Sequence, residues 1–231
     1  MIKNIISQLV RHPTKKNEQR TPNDIKQIIL HCTGMKQMAA GAQKTIEAIA
    51  KYDTSPNNHI SATGCASYTY HYTIGEDGDI YKTLEDTEVS WHVGRWNKIC
   101  LGVCLIYDPA DETLSPKSPA AKQLGTALNL IAVKCLQLGL FPSDVQGHRE
   151  LETTGWKMIN GEKKLVKSCP GMKVNLEQCR KQVAVNMQTI LSKLGFYTDK
   201  IDGIFGPKSM QAEEKFLAKE CHTDESLLGM I

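Results

Sequence analysis

The 231-residue chain is predicted to be an α/β protein, and three observations carry that expectation. Short apolar or β-branched runs alternate with segments of helical spacing. The clearest helix stands between two such runs. Turn formers mark most of the junctions.

The first strand is Gln27 to Thr33, where Ile28-Ile29-Leu30 leads into His31. Met35 to Lys51 has helical spacing through Ala42, Ile46, Ile49 and Ala50. Asp53 to Gly64 reads as a loop because Pro56, Asn57, Asn58 and Gly64 are turn formers. Tyr68 to Ile74 is aromatic and β-branched, Glu76-Asp77-Gly78-Asp79 is a hairpin turn, and Ile80 to Leu84 is the return strand. Leu101 to Tyr107 is a further strand and Pro109 to Pro119 a loop. Ser118 can cap a helix that Pro119 opens. Leu124, Leu128, Ile131, Cys135 and Leu138 share its apolar face, and Gly139 stops it. Val145 and Gln146 then lead into His148. From Gln182 onward a helix closed by Gly195, a turn-rich loop at 196–207 and a helix from Ser209 to Lys219 form a unit too small to be an enzyme.

Composition narrows the classes. Hydrophobic content is 41% and charged content 23%, typical of a globular protein. No apolar run approaches the ~20 residues of a membrane span. A net charge of +3 is too small to argue for nucleic acid. Residues 1–22 are expected to form a solvated basic lead-in: Lys3, Arg11, Lys15, Lys16 and Arg20 stand against Glu18, which could give weak attraction to an anionic surface. The start lacks the pattern of a secretory signal. The eight cysteines lack disulfide-scaffold spacing, and a reducing compartment is expected where the chain is made.

His31, His148 and Cys169 stand in contexts suited to metal ligation. Two imidazoles and one thiolate suit zinc, with a fourth position left for water or substrate. Taken singly, each has an ordinary alternative: a core histidine, a turn residue, a buried thiol.

Six blocks occur in one order: Ile29-Leu30-His31-Cys32-Thr33, Tyr70-His71-Tyr72, Trp91-His92-Val93-Gly94, Leu101-Gly102-Val103-Cys104-Leu105, Gly147-His148-Arg149-Glu150 and Lys167-Ser168-Cys169-Pro170-Gly171. Together they resemble the zinc-dependent N-acetylmuramoyl-L-alanine amidases, above all the phage endolysin type, whose fold is shared with peptidoglycan-recognition proteins. The resemblance covers roughly residues 21–180. It implies a mixed sheet flanked by helices. It also implies one zinc on His31, His148 and Cys169, catalytic roles for Tyr70 and Lys167, and cleavage of the amide between N-acetylmuramic acid and L-alanine. One branch of the family carries a glutamate where this chain has Cys104, so the Tyr–Lys version of the mechanism is the one expected. Residues 182–220 resemble a small helical peptidoglycan-binding domain, through Leu194-Gly195-Phe196-Tyr197 and Ile201-Asp202-Gly203-Ile204-Phe205-Gly206-Pro207.

The resulting division is a tail at 1–22, a catalytic domain at 23–180 and a wall-binding helical domain at 181–231. His92, with Trp96 and Asn97, is expected to contact substrate, and His71 to be structural. The expected partner is bacterial peptidoglycan, the expected state a monomer. The expected location is the host cytoplasm until release onto the wall. The competing readings are a non-catalytic recognition protein, disfavoured by the intact ligand trio, and a cysteine peptidase using Cys32 or Cys65, which lack the setting of an activated thiolate.

Overall fold

In a computed structural model, the described residues are 1–110, 114–151, 168–219 and 222–231, with the backbone of Trp156–Ile159 and Glu162–Leu165. Six strands form one mixed sheet: β1 (Ile2–Asn4), β2 (Gln27–Cys32), β3 (Tyr72–Ile74), β4 (Ile80–Lys82), β5 (Cys100–Leu105) and β6 (Val145–Gly147). Their spatial order is β1-β4-β3-β5-β2-β6. β3 and β4 pair antiparallel across the Asp77-Gly78 turn, and the other neighbours are parallel. The expected mixed sheet flanked by helices is therefore present. A separate two-stranded ribbon, β7 (Trp156–Ile159) and β8 (Glu162–Leu165), lies between His148 and Cys169 in the chain.

Strand alternation sorts the two faces of the sheet. Ile28 and Leu30 of β2 and Leu101, Val103 and Leu105 of β5 join the core built with helix α2 (Pro119–Leu138). The other face carries Ile29 and His31 of β2 and Cys104 of β5. Helix α1 (Ala42–Thr54) packs there through Ala42, Ile46 and Ala50 against Ile5, Tyr68 and Ile106. One face is thus committed to the core, and the far end of the other presents His31.

Helix α2 follows its sequence signals. Ser118 Oγ accepts from Ala121 N at 3.1 Å, Pro119 opens the first turn, and Gly139 stops the helix at φ 63°. α1 does not begin at Met35 as its periodicity suggests. Gly34 and Gly41 both adopt positive φ, so the segment before Ala42 is loop and the helix runs on to Thr54. The expected strand from Tyr68 is shortened to Tyr72–Ile74.

The first 22 residues are not a tail. β1 pairs parallel with β4, Ile5 is buried, and Ile5 N donates to Lys82 O at 3.0 Å. A three-residue strand is too short to leave a periodic trace in the sequence. The basic groups there are also spent internally. Arg11 pairs with Glu88, Lys3 with Asp79, and buried Arg20 donates to the carbonyls of Asp86, Asn97, Lys98 and Cys100. That removes most of the charge from which an anionic-surface attraction was expected.

The boundary expected between residues 180 and 181 falls inside a helix, α3 (Leu176–Lys193), which Asn175 caps by accepting from Gln178 N at 3.1 Å. Its face of Val183, Met187, Ile190 and Leu191 shares one core with Leu128, Ile131 and Cys135 of α2. α4 (Pro207–Leu217) adds Ala212 and Phe216 to it. A short α5 (Asp224–Leu228), which had no sequence signal, adds Leu227. Buried Lys134 of α2 ties this end down, lying 3.0 Å from Asp86 and 2.8 Å from Asp224. The loop between α3 and α4 is organised by Gln188, whose Oε1 accepts from Asp202 N and Gly203 N at 3.1 and 2.9 Å.

Candidate metal centre and groove

His31 is the next-to-last residue of β2, His148 follows β6, and Cys169 enters on the loop before α3. The topology makes β2 and β6 direct neighbours, so the two histidines arrive side by side with ring centroids 4.6 Å apart. Gly147 lets β6 run close to the Cys169 loop. A Cβ there would stand 2.6 Å from Leu176 Cδ1 and 2.9 Å from Pro170 Cδ. Arg149 fastens that loop: its N–H donates to Cys169 O at 2.9 Å and its guanidinium to the carbonyls of Gly171 and Val174. The three candidate ligand atoms come within 4.8 Å of one another, and His31 Nδ1 lies 3.6 Å from Cys169 Sγ.

The hydrogen bonds behind His31 dictate its tautomer. His92 Nε2 sits 3.4 Å from Cys100 O, and a carbonyl can only accept, so that nitrogen carries the proton. His92 Nδ1 is then an acceptor, and His31 Nε2, at 2.8 Å, donates to it. His31 is left with its Nδ1 lone pair directed to the cluster, the state a metal ligand requires. Burial holds His92 well below the ordinary histidine pKa, which keeps it neutral. Gly102 makes room for the ring, since a Cβ there would lie 3.0 Å from His92 Nδ1.

The donor set fits zinc. The contact with Cys32, together with burial, pushes the Cys169 thiol well above the ordinary range, so its thiolate needs a cation beside it. Cys32 N donates to that sulfur at 3.3 Å. Tyr70 lies against the cluster with its ring 4.9 Å from that of His31. Burial, reinforced by the Cys104 and Cys169 thiols, holds its phenol well above the usual tyrosine value. It is therefore a neutral hydroxyl that can donate or orient rather than a base.

A groove of about 490 Å³ opens beside Tyr70. Thr33, Gly34 and Met35 form one wall, and Ile49, Tyr52 and Asp53 of α1 form the other. His59, stacked on Tyr52 at 5.7 Å, is at its edge. Sequence reading missed this wall because α1 was ended at Lys51. Extended to Thr54, the helix places Ile49, Tyr52 and Asp53 at i, i+3 and i+4 on one stripe.

The structure thus gathers His31, His148, Cys169 and Tyr70. The residues expected to contact substrate have these surroundings. His92 is buried behind His31, not in the groove. Asn97 Oδ1 is occupied by the backbone N–H groups of His92 and Val93 at 3.0 and 2.7 Å. Trp96 packs on Ile29, Val93, Cys100 and Leu151 with the Arg95 guanidinium over its ring. His71 is structural as expected: its Nδ1 accepts from Gly102 N at 3.0 Å, and burial beside Arg20 lowers its pKa to about 4. Lys167 lies outside the described residues.

Comparison with known proteins gives the family and the fold. The family model described as N-acetylmuramoyl-L-alanine amidase matches residues 21–172. Peptidoglycan recognition protein 1 of Rattus norvegicus is 34% identical over 95 residues, which is 39% of this chain and 48% of that protein. The chain thus spans about half the length of that relative. Among solved structures, the amidase LysC from Clostridium intestinale aligns at TM-score 0.53 and 17% identity, covering 79% of this chain and 97% of LysC. The Ph2119 endolysin from the Thermus scotoductus MAT2119 bacteriophage aligns at 0.54 and 20% identity, covering 79% of this chain and 99% of that one. At these identities the likeness is one of fold.

Proposed function

This chain belongs to the N-acetylmuramoyl-L-alanine amidase family, and we propose that within it the chain is a zinc-dependent, endolysin-type peptidoglycan hydrolase. The bond cut is the amide between N-acetylmuramic acid and the L-alanine of the stem peptide. The observation that carries this reading is the candidate ligand trio, with His31 Nδ1 turned toward Cys169 and its Nε2 bound to His92, set beside an open groove.

His31, His148 and Cys169 would hold the zinc. Zinc bound there supplies Lewis-acid polarisation of the amide carbonyl and brings the pKa of a water to about 7. The groove between Thr33–Met35 and α1 receives the stem peptide, leaving the glycan outside. Tyr70 presents a neutral hydroxyl at the junction of groove and ligands, where it orients the attacking water and hands a proton on. Lys167, two residues before Cys169, is proposed to face the developing oxyanion. The helices after residue 175 are proposed to hold the enzyme on the wall, raising its local concentration at the substrate. Storage in the host cytoplasm before release, and a monomeric state, complete the proposal.

Mass spectrometry of a digest of purified peptidoglycan tests it. Free stem peptides are the expected product. Disaccharides or cross-link fragments would overturn the reading. Tight muropeptide binding without release of peptide would assign the chain to recognition instead.

A further inference from the structure

Asp53, the next-to-last residue of α1, lines the groove and is only 1% exposed. Burial pushes its carboxyl up to about 7, while hydrogen bonds from the Thr69 side chain and backbone pull the other way. The titratable groups that feel it are Cys65, Tyr68, Tyr70 and Cys104. Burial raises the pKa of each, which keeps each neutral beside the carboxyl.

What this acid holds is specific. Thr69 Oγ1 donates to Asp53 Oδ2 at 3.0 Å, and Thr69 is the residue before Tyr70. Beyond Tyr70, Thr83 Oγ1 donates to Tyr70 O at 2.8 Å. The tyrosine is therefore anchored from both sides of its own backbone, and its ring is set between those of His31 and Tyr68. The main chain of Asp53 also receives Cys65 N at 2.7 Å and Asn58 Nδ2 at 2.5 Å, so the connection from 58 to 69 hangs from this residue. A carboxylate acceptor makes a hydrogen bond roughly twice as strong as a neutral one.

We propose that Asp53 is a positioning residue for Tyr70: acting through Thr69, its carboxylate fixes the backbone from which the phenol meets the candidate metal centre. The proposal rests on the amidase reading of Tyr70. A displacement of about 1 Å at such a group costs on the order of 10²-fold in rate.

The test uses the zinc-loaded full chain and a small soluble muropeptide. Asp53→Leu and Thr69→Val should each lower kcat by about 10- to 100-fold with KM little changed, the signature of an interaction needed only in the transition state. Zinc content should stay at wild type. Asp53→Asn, which keeps an acceptor for Thr69, should restore most of kcat. The Asp53→Leu/Thr69→Val double variant should be no worse than either single one, because both break the same contact. A second readout needs no turnover. In ¹³C-tyrosine-labelled protein, the Tyr70 ring signal, identified by its loss in Tyr70→Phe, should shift the same way in Asp53→Leu and Thr69→Val and return in Asp53→Asn.

Additive losses in the double variant, a raised KM at unchanged kcat, or an unmoved Tyr70 signal would overturn the proposal. If Asp53→Leu does not fold, Thr69→Val decides: a wild-type rate and ring signal refute the idea. If the wild-type chain cuts no muropeptide, the amidase reading fails and the ring signal alone judges Asp53.

Discussion

His92 Nδ1 stands 2.8 Å from His31 Nε2, and the bond between them runs in one direction only, because His92 is itself committed as a donor to Cys100 O. Replacing His92 by Phe removes the acceptor and lets His31 adopt either tautomer. Zinc affinity should fall by about 10- to 100-fold, as for other residues that orient metal ligands. His92→Gln keeps an acceptor and should lose less. Competition titration against a zinc chelator measures both.

The ligands and the working side chains should separate. Cys169→Ala should abolish zinc binding and activity together. Tyr70→Phe and Lys167→Ala should keep one zinc per chain and lose on the order of 10²–10³ in kcat, the usual cost of one transition-state donor. Metal analysis beside muropeptide kinetics distinguishes these outcomes, and equal zinc loss in all three variants would refute separate roles.

Asp53 should make stability fall with rising pH. Its folded pKa of about 7 lies above the ~3.9 of an unfolded aspartate, so the native state holds the proton more tightly. The penalty is absent below about pH 4, grows through the interval and is complete above about pH 7. Asp53→Asn should therefore unfold at higher urea than wild type at pH 8, by a gap of roughly 1–4 kcal/mol, and match it at pH 4.

Truncation before α3 should not yield a free-standing catalytic unit. It would uncover the partners of Val183, Met187, Ile190 and Leu191 on α2, each buried side chain being worth about 1.5–3 kcal/mol. It would also leave Lys134 facing Asp86 without Asp224. A chain ending at residue 174 should melt lower and aggregate, followed by differential scanning calorimetry and light scattering. A soluble truncated chain with wild-type melting would mean that the helices are merely appended.

The candidate ligands and Tyr70 could be singled out because each stands in a short block with its own spacing, and the structure brings those blocks together. The bond from His31 to His92 was not legible: a histidine after tryptophan looks the same in sequence whether it faces a groove or backs another histidine. β1 was invisible because three residues carry no period. The groove wall was lost with the last turn of α1, since Tyr52 and Asp53 look like the polar end of a helix until Thr54 is known to continue it. The shared core of α2 and α3 was illegible for another reason. An amphipathic face does not say what covers it, so a helix of this chain's own core and one of a separate module look alike.

The bond from Arg149 N to Cys169 O closes the chain at both ends of the β7–β8 excursion. The second and third candidate ligands are therefore spaced by that clasp and not by the length of chain between them. The entropy of closing a longer loop grows only slowly, about 0.6 kcal/mol per doubling. The excursion can accordingly be treated as a cassette. Ribbons of other lengths could be spliced between residues 151 and 168 while His148 and Cys169 stay where they are.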